Sequence, residues 1–459
     1  MLKGIILKAF ARAADAIAKK AAALSEKAEQ RGTADPSQTE ASEQYHVGEF
    51  NPPIAHPQLI LKREKVSHMN EMYTVVAGYD RDAFMRSVVI PDGVVGIERD
   101  CFKKCIELEE VYIPDSVNFM DGNTFEGCTS LKKVRLSPAL TEIPFWGFRE
   151  CKSLKEIELP KKLKRIGFCA FWESGLESVV IPEGVETIQL SAFSLCYKLA
   201  SVSLPSTLRE IEDSAFESSK SLTSLKLPKG LRSLGERTFW HSALAGVEIP
   251  PKLTELKNRT FRDCVNLRTI YVPNNIGTIG SEVFMGCKSL ESARIPLRTY
   301  IDATVFEGCE ALGTLTVGEI AVDIPMPKKI VNIGRLAFFI AKCIRVGKFE
   351  ADPETAGLIL EGNLTDTAFQ LAQYGITGAW EYVAADLNRA LIHMILLDRP
   401  QAFDALVERG AWLSRELTER YIEEAVKLEQ KELYLSLIRY KRDVLGYDTG
   451  DTADGRFSL

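Results

Sequence analysis

One phenylalanine recurs through the middle of this chain with almost no variation in spacing: Phe102, Phe125, Phe148, Phe171, Phe193, Phe216, Phe239, Phe261, Phe284 and Phe306, every gap 22 or 23 residues. A period kept over so many units means a stack of one small motif. In most units a cysteine follows three residues later (Cys105, Cys128, Cys151, Cys196, Cys264, Cys287, Cys309), and a leucine follows five or six later, as at Leu108, Leu131, Leu154 and Leu199. A short alternating run then ends in proline, as in Val111-Tyr112-Ile113-Pro114, Ile157-Glu158-Leu159-Pro160 and Val202-Ser203-Leu204-Pro205. Ile97, Ile143, Ile166, Ile188, Ile211 and Ile279 close their units before the next phenylalanine.

Alternation of apolar residues is the period of a strand, and a proline, which has no N–H for the ladder, ends it. A unit this small cannot bury its own Phe, Leu and Ile, so neighbours must stack and share one core. The expected product is an α/β solenoid. It has a parallel sheet of about ten rungs on one side and irregular or short helical segments on the other, and at roughly 4.8 Å per strand it forms an arc on the order of 45–50 Å long.

The Leu, Ile-Pro, Ile, Ala-Phe and Cys positions of this unit resemble the BspA-type leucine-rich repeat, over about residues 85–318. That resemblance implies a leucine-rich-repeat arc with an extended binding surface. It also implies a second possible role, that of a surface-exposed or exported adhesin or host-interaction protein.

Seven of the ten cysteines share one repeat slot, which Ser174, Ser219 and Ser242 fill in other units. A slot that accepts Cys or Ser is small and semi-buried and does not demand sulfur. Stacked neighbours would lie about 5 Å apart but point in parallel, the wrong geometry for disulfides. The expectation is a ladder of reduced thiols packed as small apolar groups. No Cys-x-x-Cys occurs and no histidine stands at finger spacing, so no metal site is expected.

Residues flanking the inward apolar positions must point outward, which writes out two columns on the concave face. They run Glu110 and Tyr112, Lys133 and Arg135, Glu156 and Glu158, Ser178 and Val180, Ser201 and Ser203, and onward to Tyr271 and Arg294. Tyr and Arg are enriched at binding hot spots. Tyr112, Arg135, Tyr271 and Arg294 are therefore the first candidates for partner contacts, with Lys133, Glu156 and Glu158 beside them; a solvated polar face is the plainer reading of any one of them. Trp172 and Trp240 stand in two units shortened by one residue before Leu176 and Leu244, and are expected to pack on the convex side.

The ends differ in character. Residues 1–30 read as an amphipathic helix whose basic residues would suit an anionic membrane surface, another helix, or simply solvent. Residues 31–57 read as a flexible linker, 58–84 as an N-terminal cap, 85–323 as the repeat domain, 324–446 as an all-α C-terminal domain and 447–459 as a polar tail. Ile330 to Val346 is a strongly apolar helical stretch expected to cap the open end of the repeats. Phrases starting at Phe369, Phe403 and Tyr434 recur at 34 and 31 residues, similar to degenerate ankyrin repeats, without that family's Thr-Pro-Leu-His phrase.

A net charge of −6 gives no basic field for nucleic acid. No apolar run is long enough to span a bilayer, and Lys8 and Arg12 interrupt the N-terminal apolar stretch before a secretory core develops. The expected compartment is the cytoplasm, with export by an unadvertised route left open. Five histidines without surrounding motifs, and the absence of phosphate-loop, nucleophile-elbow and zinc-protease patterns, point to no enzyme and no cofactor. The function expected is a non-enzymatic scaffold that binds a protein partner.

Overall fold

The computed structural model describes residues 59–65, 72–80, 85–324, 333–350 and 361–446, all within one compact unit from Pro52 to Leu459. The helix read over 1–30, the linker over 31–57 and the tail from 447 lie outside the described residues.

Most rungs carry two strands. Three-residue strands such as Glu110–Tyr112 and Lys133–Arg135 stack in parallel, Glu110 beside Lys133 and Tyr112 beside Arg135. In most rungs a proline after this segment starts a tight turn, its carbonyl accepting from the N–H three residues on (Val117 to Pro114, 3.1 Å; Leu163 to Pro160, 3.0 Å), and Ser137 takes that place after Lys133–Arg135. A two-residue strand follows, and these form a second parallel ladder in which Ile166, Ile188, Ile211 and Leu234 stand in register.

The segments expected to be irregular or helical thus contain this second ladder, and the phenylalanine segment is a run of turns. Two left-handed residues four apart hold most of these turns: Asp100 and Lys104 (φ 58° and 61°), Trp146 and Glu150 (53° and 60°), Arg259 and Asp263 (60° and 56°). They prevent the chain from winding into a helix and turn its N–H groups along the stack. Phe102 N–H donates to the Thr124 carbonyl at 2.9 Å, Phe125 to Gly147 at 2.9 Å and Phe148 to Ala170 at 2.8 Å. Most rungs are bonded to the next both along a strand and through this turn, and no helix forms within 85–324.

The ten phenylalanines are fully buried and stack ring on ring, with centroids 5.2–5.8 Å apart and planes within 3–14°. Each contributes about 1.5–3 kcal/mol by burial, and offset stacking is a favoured aromatic geometry. Tyr79, 23 residues before Phe102, extends the stack by one ring at 5.8 Å. Its strand, Met72–Tyr79, pairs in parallel with Gly96–Ile97 and antiparallel with Leu59–Lys65, so a hairpin begins the solenoid.

The strand Ile320–Asp323 folds back antiparallel on Thr314–Val317 and ends the sheet. Helix α1 (Ile333–Val346) packs against the last rungs. Helix α2 (Glu361–Gln373) covers the outer edge of Ile320–Asp323. Gln370 Oε1 accepts from Asp323 N–H at 2.9 Å while its Nε2 donates to the Asp323 carbonyl at 3.1 Å, as a neighbouring strand would. Tyr374 Oη donates to the Ala321 carbonyl at 3.3 Å, and Arg399 Nη2 to the Asp323 carbonyl at 3.1 Å. Behind them the buried Asp366 carboxylate accepts from Gln370 at 2.8 Å. Burial pushes its carboxyl above the usual range, and the nearby Arg399 opposes the shift.

Beyond this joint come α3 (Ala379–Ala384), α4 (Leu387–Leu396), α5 (Pro400–Glu408), α6 (Arg415–Lys427) and α7 (Lys431–Asp443). Helices α4 and α5 form one hairpin, and α6 and α7 another. Asp386 and Ser414 cap α4 and α6 by accepting from Arg389 N–H and Leu417 N–H. The Tyr440 hydroxyl latches the two hairpins together, accepting from Leu413 N–H at 2.7 Å and donating to the Leu413 carbonyl at 3.1 Å.

Candidate partner-binding face

Because the three-residue strands pack their middle residue against the core, the first and third point to solvent. The expected columns are therefore present on the ladder that carries Glu110–Tyr112, Lys133–Arg135, Ser178–Val180, Ser201–Ser203, Thr269–Tyr271 and Ser292–Ile295. The ladder is not continuous. No strand pairing reaches the rung of Glu156 and Glu158, and Ser224 meets Gly246 only through an isolated bridge. These interruptions fall next to the two shortened units.

Two pairs stand out among the candidate residues. The Arg135 guanidinium lies 4.8 Å from the Tyr112 ring centroid, and the Arg294 guanidinium 5.5 Å from that of Tyr271. Each arginine is also anchored: Arg135 donates to the Ile113 carbonyl at 2.6 Å and pairs with Asp115, and Arg294 pairs with Glu319 at 2.9 Å. Stacking and anchoring hold both side chains in place before any partner arrives, which lowers the entropy lost on binding. Tyr271 remains 55% exposed, and Val180, in the same column, 69%.

The other candidates are placed less firmly. Lys133 Nζ stands 4.0 Å from the Glu110 carboxylate, an exposed pair worth little. Glu156 and Glu158 are both exposed, and among the described residues neither takes a hydrogen bond or ion pair. They do not form the enclosed dyad that acid–base chemistry needs.

In the residue numbers, tyrosine and arginine are 23 apart in both pairs, which is one repeat. That signal could have paired them beforehand. Sequence reasoning also missed a second set of stacks off this face: Arg149 lies between Trp146 (5.2 Å) and Trp172 (4.7 Å), and Trp240 between Arg237 (5.6 Å) and Arg262 (5.4 Å). Trp240 Nε1 donates to Asp263 at 3.0 Å, so both expected packing tryptophans are half-buried and tied into the turns.

All ten cysteines are free and buried. The slot thiols do more than fill space: Cys128, Cys151, Cys196, Cys264, Cys287 and Cys309 donate to the phenylalanine carbonyl of the preceding rung at 3.0–3.2 Å. Burial raises the pKa of Cys128, Cys151, Cys196, Cys264 and Cys287, to about 11 for Cys196 and about 12 for Cys264, so these thiols stay protonated at neutral pH. Among the described residues no group of His, Cys, Asp or Glu could hold a metal ion, and no helix is long and apolar enough to cross a membrane.

A family model described as the BspA-type leucine-rich-repeat region, in six copies, matches residues 79–200 and 186–313. Among solved structures, a leucine-rich repeat protein from Bacteroides ovatus is 26% identical, covering 58% of this chain and 71% of its own, with a TM-score of 0.51. A leucine-rich cell surface protein from Faecalibacterium prausnitzii is 23% identical over 58% of this chain and 95% of its own (TM-score 0.31). A leucine-rich repeat protein from T. pallidum is 24% identical over 50% and 87% (TM-score 0.27). No curated protein matches the sequence.

Proposed function

Since the chain belongs to the BspA-type leucine-rich-repeat family, we propose that it is a non-enzymatic scaffold that holds a protein partner on the strand face of its solenoid. The observation that carries this reading is the pair of anchored Tyr–Arg stacks, Tyr112 with Arg135 and Tyr271 with Arg294, on one ladder. Seven rungs separate the two tyrosines, which is about 34 Å at the usual strand spacing. A partner bridging both stacks would cover a length typical of a specific interface.

The test is affinity capture from the source organism, comparing wild type with a variant carrying Lys133→Glu, Arg135→Glu, Tyr271→Ala and Arg294→Glu. All four side chains lie outside the core, so the variant is expected to keep its fold, checked by circular dichroism. A partner held by wild type and lost by the folded variant supports the reading. Equal capture by both removes the strand face from the account.

An exported adhesin is the second reading that the family membership supports. Native protein recovered on intact cells or in the medium would favour it, and strictly cytosolic recovery would remove it.

A further inference from the structure

The residue that follows each stacked phenylalanine forms one column along the turns, and Arg149, Trp172, Ser194, Glu217, Trp240 and Arg262 occupy it in successive rungs. Long neighbours in this column touch: the Arg149 guanidinium lies 4.7 Å from the Trp172 ring centroid, and that of Arg262 5.4 Å from the Trp240 centroid. The column breaks after Trp172. Arg149 covers one indole face, and the next rung offers only Ser194, whose side chain is too short to cover the other. Among the described residues Trp172 Nε1 donates to nothing, whereas Trp240 Nε1 donates to Asp263. Ser194 is 4% exposed; its hydroxyl takes no hydrogen bond among the described residues and, unlike that of Ser219, is not sealed from solvent. Glu217 stands on the far side of Ser194, two rungs from Trp172 and so about 10 Å away at the usual strand spacing. Burial pushes its carboxyl above the usual range, with a hydrogen bond from Ser214 and the charge of Arg237 opposing. Tyr197, 45% exposed, stands at the rim, where burial and the nearby Glu173 and Glu217 raise its hydroxyl above the ordinary tyrosine value.

We propose that this gap binds a neutral sugar, with one pyranose ring laid on the open face of Trp172. Stacked rings lie about 4.5–7 Å apart, so a gap two rungs wide takes one ring. A pyranose presents C–H groups on its face, which suit the negative face of an indole, and hydroxyls around its edge, which both donate and accept. The free groups here match that edge: the Ser194 and Tyr197 hydroxyls do either, Trp172 Nε1 donates and the Glu217 carboxyl accepts. Charge disfavours other flat ligands. Arg149 and Lys220 already lie over Trp172 and Tyr197, at 4.7 Å and 5.4 Å, so a cation would meet like charge. Glu173 and Glu217 beside the gap repel a phosphate, and with it a nucleotide. The gap lies off the strand face and does not depend on the protein partner proposed there.

The test is calorimetric titration of the full chain with maltohexaose, cellohexaose, mannohexaose and N-acetylchitohexaose. Wild type should bind at least one of them saturably. Trp172→Ala should weaken that binding roughly tenfold or more, and Ser194→Trp should abolish it by filling the gap. The slot of Ser194 holds Trp172 and Trp240 in two other rungs, so Ser194→Trp should keep the wild-type circular dichroism spectrum even if losing the Arg149 stack unfolds Trp172→Ala. Binding by wild type that the folded Ser194→Trp variant loses supports the proposal. A glycoprotein held by wild type and released once its glycans are removed would place that sugar on a protein, and binding of the free oligosaccharides alone would place it in a polysaccharide; either source supports the proposal. Failure of wild type to bind any of the four sugars overturns it. So does full binding by Ser194→Trp, which would put the sugar elsewhere on the molecule. Binding of heparin without binding of the neutral sugars would mark an anion site and likewise overturn it.

Discussion

The hydroxyl of Ser219 is buried with no hydrogen-bond partner among the described residues, in a slot where the rung before holds Cys196, whose thiol reaches the Phe171 carbonyl at 3.0 Å. The shorter Ser side chain fails to reach its acceptor, and an unsatisfied buried hydroxyl costs about 1–3 kcal/mol. Ser219→Cys is therefore expected to stabilise the solenoid by about 1 kcal/mol, read as a higher urea midpoint with unchanged slope; a lower midpoint would show that the slot is too tight for sulfur. The thiols also set a pH limit. Their folded pKa values are raised, to about 12 for Cys169 and about 11 for Cys196, so folding favours the protonated form. Stability is fully present below the ordinary thiol value near 9.0 and is lost as pH rises toward the folded values. Each such thiol removes up to about 1.4 kcal/mol per pH unit in that window. Urea midpoints should hold steady from neutral pH to about 9 and then fall steeply; a flat profile to pH 11 would contradict the buried, protonated thiols. At this scale the phenylalanine and cysteine columns were legible because identity repeats with period. The left-handed positions were not, since Asp100, Trp146, Leu195 and Arg259 share a backbone conformation and no side-chain chemistry.

Gly175 shows what a shortened unit requires of its neighbours. A Cβ there would lie 2.1 Å from the Lys152 carbonyl oxygen, a backbone atom that cannot rotate away. Gly175→Ala should therefore destabilise the repeat domain by about 1–3 kcal/mol, with hydrogen exchange rising first at Gly175 and Glu177, whose N–H groups bond to Cys151 and Lys155. Unchanged exchange would mean that the turn has room to relax. The other end of the solenoid depends on a side chain that imitates a strand. Replacing Gln370 by Leu leaves the Asp323 N–H without its acceptor and should cost about 1–3 kcal/mol, with faster exchange at that amide. If the amide stayed protected, another group would be closing the edge. The three-residue strands were readable from alternation and proline. The second ladder escaped because two residues are too few to show a period. The helical stretch before Val346 was readable from its apolar run, whereas the Gln370 contact joins residues 47 apart with no pattern to announce it.

For the molecule as a whole, the phenylalanine period dictated a stacked core, and the outward columns followed from strand geometry alone. The partner is not legible, because core packing leaves side chains on a solvent face free to vary and a fold does not determine what binds to it. Only the anchored Tyr–Arg stacks, visible once Tyr112 is seen beneath Arg135 and Tyr271 beneath Arg294, separate this face from an ordinary polar surface. The central claim is that the partner sits on this ladder and not on the other. The most direct measurement places a photo-crosslinking residue in the living cell at Ser203, between the two stacks, and at Glu210, which points outward from the second ladder. The account predicts one discrete adduct from position 203 and none from position 210. An adduct from position 210 with none from 203 would contradict it.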